Sequence, residues 1–243
     1  MKKITLITGA GRGIGEAIAL KFALENHKLI LLVQKHAQQS KLIQKLKKFN
    51  IEPEFFVGNL KDKKFIKILE KKIPKIDNIV NNAAVANTKY FTKVTDNELD
   101  EMLDVNLKII FKLSQIFSKK MIKYKIKGNI INISSQLGHT GAYNRSIYCM
   151  TKFGLEGLTK SMALDLGRHG IRVNTVAPTK TIVNQDERIK TKERLKLIKR
   201  KIPLNKFSTT KQIADIVYFL TTSSAASITG TSIVTDGGWT SGK

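Results

Sequence analysis

Short apolar runs recur along the chain at residues 4–8, 29–33, 54–57, 78–80, 129–133, 172–176 and 232–235. Their near-continuous Ile, Val and Leu content predicts strands covered on both faces, as parallel sheets require. Between them, apolar positions return at helical period over residues 14–25, 38–49, 61–71, 100–124, 147–168, 187–201 and 212–220. Strand–helix alternation from end to end predicts an α/β fold, a doubly wound parallel sheet of about seven strands with helices on both faces. Ligands of such sheets bind beyond the carboxyl ends of the strands, so the residues that follow each apolar run carry the functional information.

The gross numbers narrow the picture. A chain of 243 residues, 42% hydrophobic, has ample surface to bury in one compact unit and too little for two catalytic domains. The four prolines are scattered and no Pro/Gly/Ser-rich linker interrupts the chain, so one domain over residues 1–243 is expected. Met1-Lys2-Lys3 runs straight into an apolar strand and glycines, without a signal-peptide core. No apolar run approaches the roughly 18 residues of a membrane helix. Cys149 is the only cysteine, so no intramolecular disulfide is possible, and a cytoplasmic location without membrane association is expected. The net charge of +24 is unusual. It suits an anionic partner, namely nucleic acid, an acidic membrane, a phosphorylated cofactor or an acidic carrier protein. It also fits a lysine-rich composition bias, because no basic cluster is interleaved with the aromatics that favour single strands.

The first strand ends in Thr8-Gly9-Ala10-Gly11-Arg12-Gly13-Ile14-Gly15, and a helical pattern begins at once. Glycines allow a sharp turn and close approach to a pyrophosphate, and the helix N-terminus offers free N–H groups to it. An acid at the end of the second strand would accept the ribose hydroxyls of NAD(H) and repel a 2′-phosphate. The chain has Gln34-Lys35-His36 there. Lys35, with Arg12 in the glycine turn, suits a 2′-phosphate, so NADP(H) is favoured over NAD(H).

Tyr148 and Lys152 are four residues apart in a helical stretch and therefore share a face. Ser135 follows the fifth apolar run, at the ligand edge of the sheet. Reducing a carbonyl with hydride needs a proton donor at the developing alkoxide. A phenol, with a pKa near 10, must fall by about 3 units to exchange protons near neutrality. A neighbouring ammonium is expected to lower it by Coulomb attraction.

The glycine turn, Ser135, Tyr148 and Lys152, with Asn81-Asn82-Ala83-Ala84 and Val105-Asn106-Leu107, resemble the short-chain dehydrogenase/reductase family over residues 4–239. The resemblance implies a Rossmann-type fold and hydride transfer between nicotinamide and a carbonyl or secondary alcohol. It implies that Lys152 also holds the nicotinamide ribose and that Asn106 belongs to a water-mediated proton relay. It places Asn59 and Leu60 at the adenine, and it places Asn82, Ala83, Pro178 and Thr181 among the cofactor contacts. Thr179 stands where relatives have glycine, and Asn59 where they have aspartate; an amide oxygen there still accepts a bond. Thr235-Asp236-Gly237-Gly238-Trp239 resembles the family's closing Asp-Gly-Gly.

Within the family the pattern most resembles 3-oxoacyl-[acyl-carrier-protein] reductases of fatty acid biosynthesis. Asn129 and His169, beside Arg168, stand where those enzymes carry basic carrier-binding residues. A sugar or polyol dehydrogenase is the alternative, and a nucleic-acid-binding protein on a reductase scaffold is a minor one. The basic stretch 184–206, with Arg188, Lys190, Lys192, Arg194, Lys196, Lys199, Arg200 and Lys201, matches the family's substrate lid. A homotetramer is implied, with the helices over 100–124 and 147–168 at one interface. Cys149 is expected to pack as a small thiol and His139 to face solvent from its loop. No His, Cys, Asp or Glu group has metal spacing, so no catalytic metal is expected.

Overall fold

A computed structural model describes residues 2–182 and 198–242. The strands β1 (Ile4–Thr8), β2 (Lys28–Val33), β3 (Glu54–Val57), β4 (Asn78–Asn81), β5 (Asn129–Ile133) and β6 (Arg172–Pro178) fall where the apolar runs predict them. A short parallel pair, β7 (Thr181–Ile182) with β8 (Ser208–Thr209), lies apart from the sheet, and β9 (Ser232–Thr235) completes it. The seven-stranded sheet is all parallel, in the order β3-β2-β1-β4-β5-β6-β9. The order reverses between β1 and β4, and that is where a doubly wound sheet opens a crevice.

Helices cover both faces. On one face α1 (Gly13–Leu24), α2 (His36–Leu46) and α7 (Thr210–Phe219) pack Ile18, Phe22, Leu42 and Val217 against Ile7, Leu31 and Val176. On the other, α3 (Lys63–Lys72), α5 (Ile109–Lys123) and α6 (Ser146–Gly167) pack Leu69, Phe117 and Ala163 against Leu6, Ile79 and Ile130. Among the described residues, no helix is long and apolar enough to cross a membrane.

The helix predicted over 100–124 is three pieces: α4 (Asp96–Leu103), one π-helical turn (Asp104–Lys108) and α5. The extra residue of the π turn rotates Asn106 inward, where it is fully buried. Residues 183–197, which hold most of the helix predicted over 187–201 and of the stretch 184–206, lie outside the described residues, including Arg188, Lys190, Lys192, Arg194 and Lys196; residues 198–200 are helical.

Asparagines pair across the middle of the sheet. Asn78 stands opposite Asn129 and Asn81 opposite Asn132. Asn129 Nδ2 donates to Asn78 Oδ1 at 2.8 Å, and Asn78 Nδ2 donates to Thr5 Oγ1 at 3.0 Å. Asn81 Nδ2 donates to Asn132 Oδ1, and Asn132 Nδ2 to Thr159 Oγ1 on α6, both at 2.8 Å. Asn129 is thus occupied inside the sheet and is not available to a carrier protein.

Candidate active site

After Thr8 the chain turns through Gly9 and Gly13, both left-handed at φ 65 and 59, a conformation that glycine adopts without strain. At Gly15 a Cβ would stand 2.2 Å from the Gly9 carbonyl oxygen and 2.5 Å from Asn82 Nδ2, so α1 seats directly on the turn. Thr8 and Asn82 brace it. Asn82 Nδ2 donates to the carbonyl oxygens of Thr8 and Gly9 at 3.0 and 3.1 Å. Thr8 Oγ1 accepts from the N–H groups of Asn82 and Ala83 at 2.9 and 3.0 Å. The two side chains tie the loop after β4 to the loop after β1, across the point where the strand order reverses.

Against this turn lies a pocket of about 310 Å³ lined by residues including Gly9, Gly11, Arg12, Gln34, Asn59, Leu60, Asn82 and Ala83. Arg12, the residue that precedes α1 as its cap, is exposed there, so the positive end of the α1 dipole opens onto the pocket. Ile14 lies in the first turn of α1. Lys35 differs from expectation. It is exposed, it caps α2, and it stands just outside the wall. Gln38 takes the place beside it, accepting on Oε1 from the N–H groups of Gln34 and Lys35 at 3.1 and 3.2 Å. A Cβ on Gly11 would stand 2.6 Å from the Gln38 Cβ. Lys61 and Glu101 also line the pocket and pair at 3.6 Å. Asn59 lines the pocket, and its Oδ1 accepts from the Lys61 N–H at 3.0 Å. Sequence reasoning passed over Gln34, Gln38 and Lys61; the available signal was Gln38 three residues past a helix cap.

The second half of the site gathers at the ends of β5 and β6. Ser135, buried just past β5, accepts on Oγ from the Leu137 N–H at 3.1 Å, and its hydroxyl acts on the Tyr148 phenol of α6, holding it down against burial. One helical turn on, Lys152 is 1% exposed. Its Nζ donates to the Ile133 carbonyl oxygen at 2.8 Å and lies 5.5 Å from the centroid of the Tyr148 ring. Asn106 accepts from the Val85 N–H, donates to the Val85 carbonyl, and donates to Thr151 Oγ1 at 3.2 Å. Thr151 Oγ1 in turn donates to the Tyr148 carbonyl oxygen at 2.9 Å. Asn106 therefore clamps the loop after β4 to the helix that carries Tyr148.

Pro178 closes β6 opposite Thr235. Thr179 is buried, and its Oγ1 has no hydrogen-bond partner among the described residues. Thr181 Oγ1 donates to the Thr179 carbonyl at 3.1 Å. Asp236 gathers the Gly238 N–H, the Thr240 N–H and the Thr240 hydroxyl at 2.7–2.8 Å. His139 uses its ring: Nε2 lies 2.9 Å from Ser232 Oγ and 3.3 Å from Glu156 Oε1. Cys149 is partly buried, and burial pushes its thiol up.

The electrostatics invert one expectation. Burial pushes the Tyr148 phenol up from its ordinary value, against the opposing hydrogen bond from Ser135 and the charge of Arg145. The Lys152 ammonium points at a backbone carbonyl and not at the phenol oxygen, and burial pushes its pKa down to about 8, with Glu156 acting in the opposite direction. The pair therefore couples a neutral phenol to a lysine that titrates near neutrality.

A family model described as enoyl-(acyl carrier protein) reductase matches residues 9–240. The 3-oxoacyl-[acyl-carrier-protein] reductase FabG of Rickettsia conorii is 38% identical, covering 97% of this chain and 96% of its own. The L-xylulose reductase of Mus musculus is 34% identical, covering 96% and 95%. Among solved structures, 4-hydroxyisoleucine dehydrogenase complexed with NADH superposes with a TM-score of 0.91, at 30% identity and full coverage of both chains. A dehydrogenase from Beutenbergia cavernae with bound NADP gives a TM-score of 0.91 at 26% identity, covering 98% of this chain and 97% of that one. The chain belongs to the short-chain dehydrogenase/reductase family, oxidoreductases that interconvert alcohol and carbonyl groups.

Proposed function

We propose that this protein is an NADPH-dependent carbonyl reductase whose substrate is a 3-oxoacyl thioester on an acidic carrier. The observation that carries the reading is the Tyr148 hydroxyl, kept neutral by burial under the influence of Ser135 and one helical turn from a buried lysine.

The residues fit a pyridine dinucleotide. The cradle at Gly9, Gly11 and Gly15 leaves no room for a Cβ, the α1 N-terminus suits a pyrophosphate, and the orphaned Thr179 hydroxyl at the end of β6 suits a polar group such as a carboxamide. Arg12 at the pocket wall supports a 2′-phosphate and hence NADPH. When bound, the nicotinamide supplies the hydride.

The chain's own residues handle the oxygen. Ser135 donates a hydrogen bond to the substrate carbonyl oxygen and fixes its direction. Tyr148, kept protonated by burial, gives its proton to that oxygen as charge develops there. The Lys152 ammonium then stabilises the phenolate left behind, which is the state in which a nearby positive charge matters most.

The carrier reading draws support from a groove of about 430 Å³ between the ends of α5 and α6, where Lys125, Lys127, Arg168 and His169 converge, and from the +24 charge. A sugar or polyol substrate is the second reading. It is supported by the L-xylulose reductase likeness, which is as extensive as the FabG likeness. The test is NADPH consumption across acetoacetyl thioesters and a panel of keto-sugars, with Tyr148→Phe as control. Turnover of thioesters alone upholds the first reading, and turnover of keto-sugars alone replaces it with the second. Equal turnover by Tyr148→Phe overturns both.

A further inference from the structure

Glu156 is buried one helical turn beyond Lys152, with 8% of its surface exposed. The mechanism above makes no use of it, yet both of its oxygens are engaged. Oε2 accepts from Thr175 Oγ1 on β6 at 2.7 Å. Oε1 lies 3.3 Å from Ser232 Oγ on β9 and 3.3 Å from His139 Nε2 in the loop after Ser135. Against the same surface packs Gly138, where a Cβ would stand 3.2 Å from Glu156 Cγ and 3.1 Å from the Lys152 carbonyl oxygen. One carboxylate therefore joins four elements: the helix of Tyr148 and Lys152, the loop of Ser135, and the strands β6 and β9.

A buried carboxylate is costly unless paired and hydrogen-bonded. Hydroxyls from Thr175 and Ser232 satisfy its lone pairs without neutralising it. The charged or titratable groups that face it are Lys152, from its own helix, and His139, from the loop; β6 and β9 contribute hydroxyls. At i+4 on a helix, its charge is held on the same side as the Lys152 ammonium.

We propose that Glu156 is a positioning residue of the catalytic cluster, anchoring the α6 turn that carries Lys152 to β6 and β9 and keeping a counter-charge one turn from the ammonium. The inference rests on Lys152 serving the reaction as proposed above. The direction of the Glu156 effect on Lys152, opposing the loss of its proton on burial, agrees with it.

The test reads Lys152 directly. In protein labelled with 13C at lysine Cε, the Lys152 signal is assigned by its loss in Lys152→Ala and titrated by NMR. Glu156→Gln keeps the volume and removes the charge; one acceptor oxygen becomes an N–H donor, which a hydroxyl turned by rotation can accept. We expect it to lower the Lys152 midpoint by about half a pH unit or more, with the alkaline limb of kcat/KM moving down by the same amount. A folded Glu156→Gln that titrates like the wild type overturns the proposal, as does a fall in kcat with an unmoved pH profile, which marks a purely structural role. If Glu156→Gln does not fold, Glu156→Asp, whose carboxylate stands farther from Lys152, replaces it: a smaller fall of the midpoint supports the proposal and no fall overturns it. The lysine titration needs no substrate, so a protein inactive on every carbonyl tried refutes the proposed function and leaves this test standing.

Discussion

Asn106 and Val85 close a two-point bond, side-chain amide against main-chain amide, with both contacts at 2.9 Å. Removing that side chain leaves the part-buried N–H and carbonyl of Val85 without those partners, at up to about 1 kcal/mol for each group, since the pocket admits water to them. Asn106→Ala is expected to lower Tm by roughly 2–4 °C per kcal/mol lost. It is also expected to weaken dinucleotide binding, because Val85 and Val105 line the pocket. Differential scanning calorimetry and nucleotide titration check both; an unchanged Tm would refute the clamp.

Lys152 sets an opposition between stability and activity. Its pKa in the folded protein is pushed down to about 8 from 10.5 by burial. The unfolded chain therefore binds the proton more tightly, and stability rises with pH between those two values. Below pH 8 the buried ammonium burdens the fold in full. Lys152→Met is expected to gain stability at pH 7, on the order of 1 kcal/mol, while losing reductase activity by roughly 100-fold or more. Because kcat/KM reports groups of the free enzyme, its alkaline limb is expected near pH 8. Urea melts at pH 7 together with a kcat/KM profile decide the matter.

Cofactor choice is expected to depend on Arg12 more than on Lys35. Arg12 lines the pocket and Lys35 stands outside it. Arg12→Ala should reduce the preference for NADPH over NADH by about 10-fold, the equivalent of 1.4 kcal/mol, and Lys35→Ala by much less. Measured kcat/KM ratios for the two nucleotides, in each variant, give the answer. The reverse order would return the 2′-phosphate to Lys35.

Association is expected through α5 and α6. Phe111 and Phe153 are each 50% exposed and Leu164 84%, which is a large apolar area to leave in water. Light scattering should give a tetramer for the wild type and a smaller species for Phe153→Glu with Leu164→Glu. A monomeric wild type would remove the inference.

Most of the sheet was legible because buried parallel strands are nearly uninterrupted apolar runs, and their ends fall within two residues of the prediction. The helix over 100–124 was not, because a π turn inserts one residue without changing the apolar period around it; only the polar Asn106 within that stretch marks the place. The gathering of Ser135, Tyr148 and Lys152 was visible in their spacing. Which way a side chain leaves a loop was not, so the sequence does not separate Lys35 from Arg12 or mark Gln38 as a pocket residue. His139 and Glu156 lie 17 residues apart in the chain and meet only through tertiary packing, which no local pattern announces.

The paired asparagines of β4 and β5 carry information that the aliphatic residues around them cannot. In strands wrapped on both sides by hydrocarbon, sliding one past the other exchanges isoleucine for valine or isoleucine at little cost. The segments N-I-V-N and N-I-I-N escape that degeneracy: any small offset leaves two or more amides facing methyl groups. Substituting matched leucines would then preserve the core while erasing the alignment mark. The polar rows work as a vernier that sets the two strand ends carrying Asn82 and Ser135 at one height.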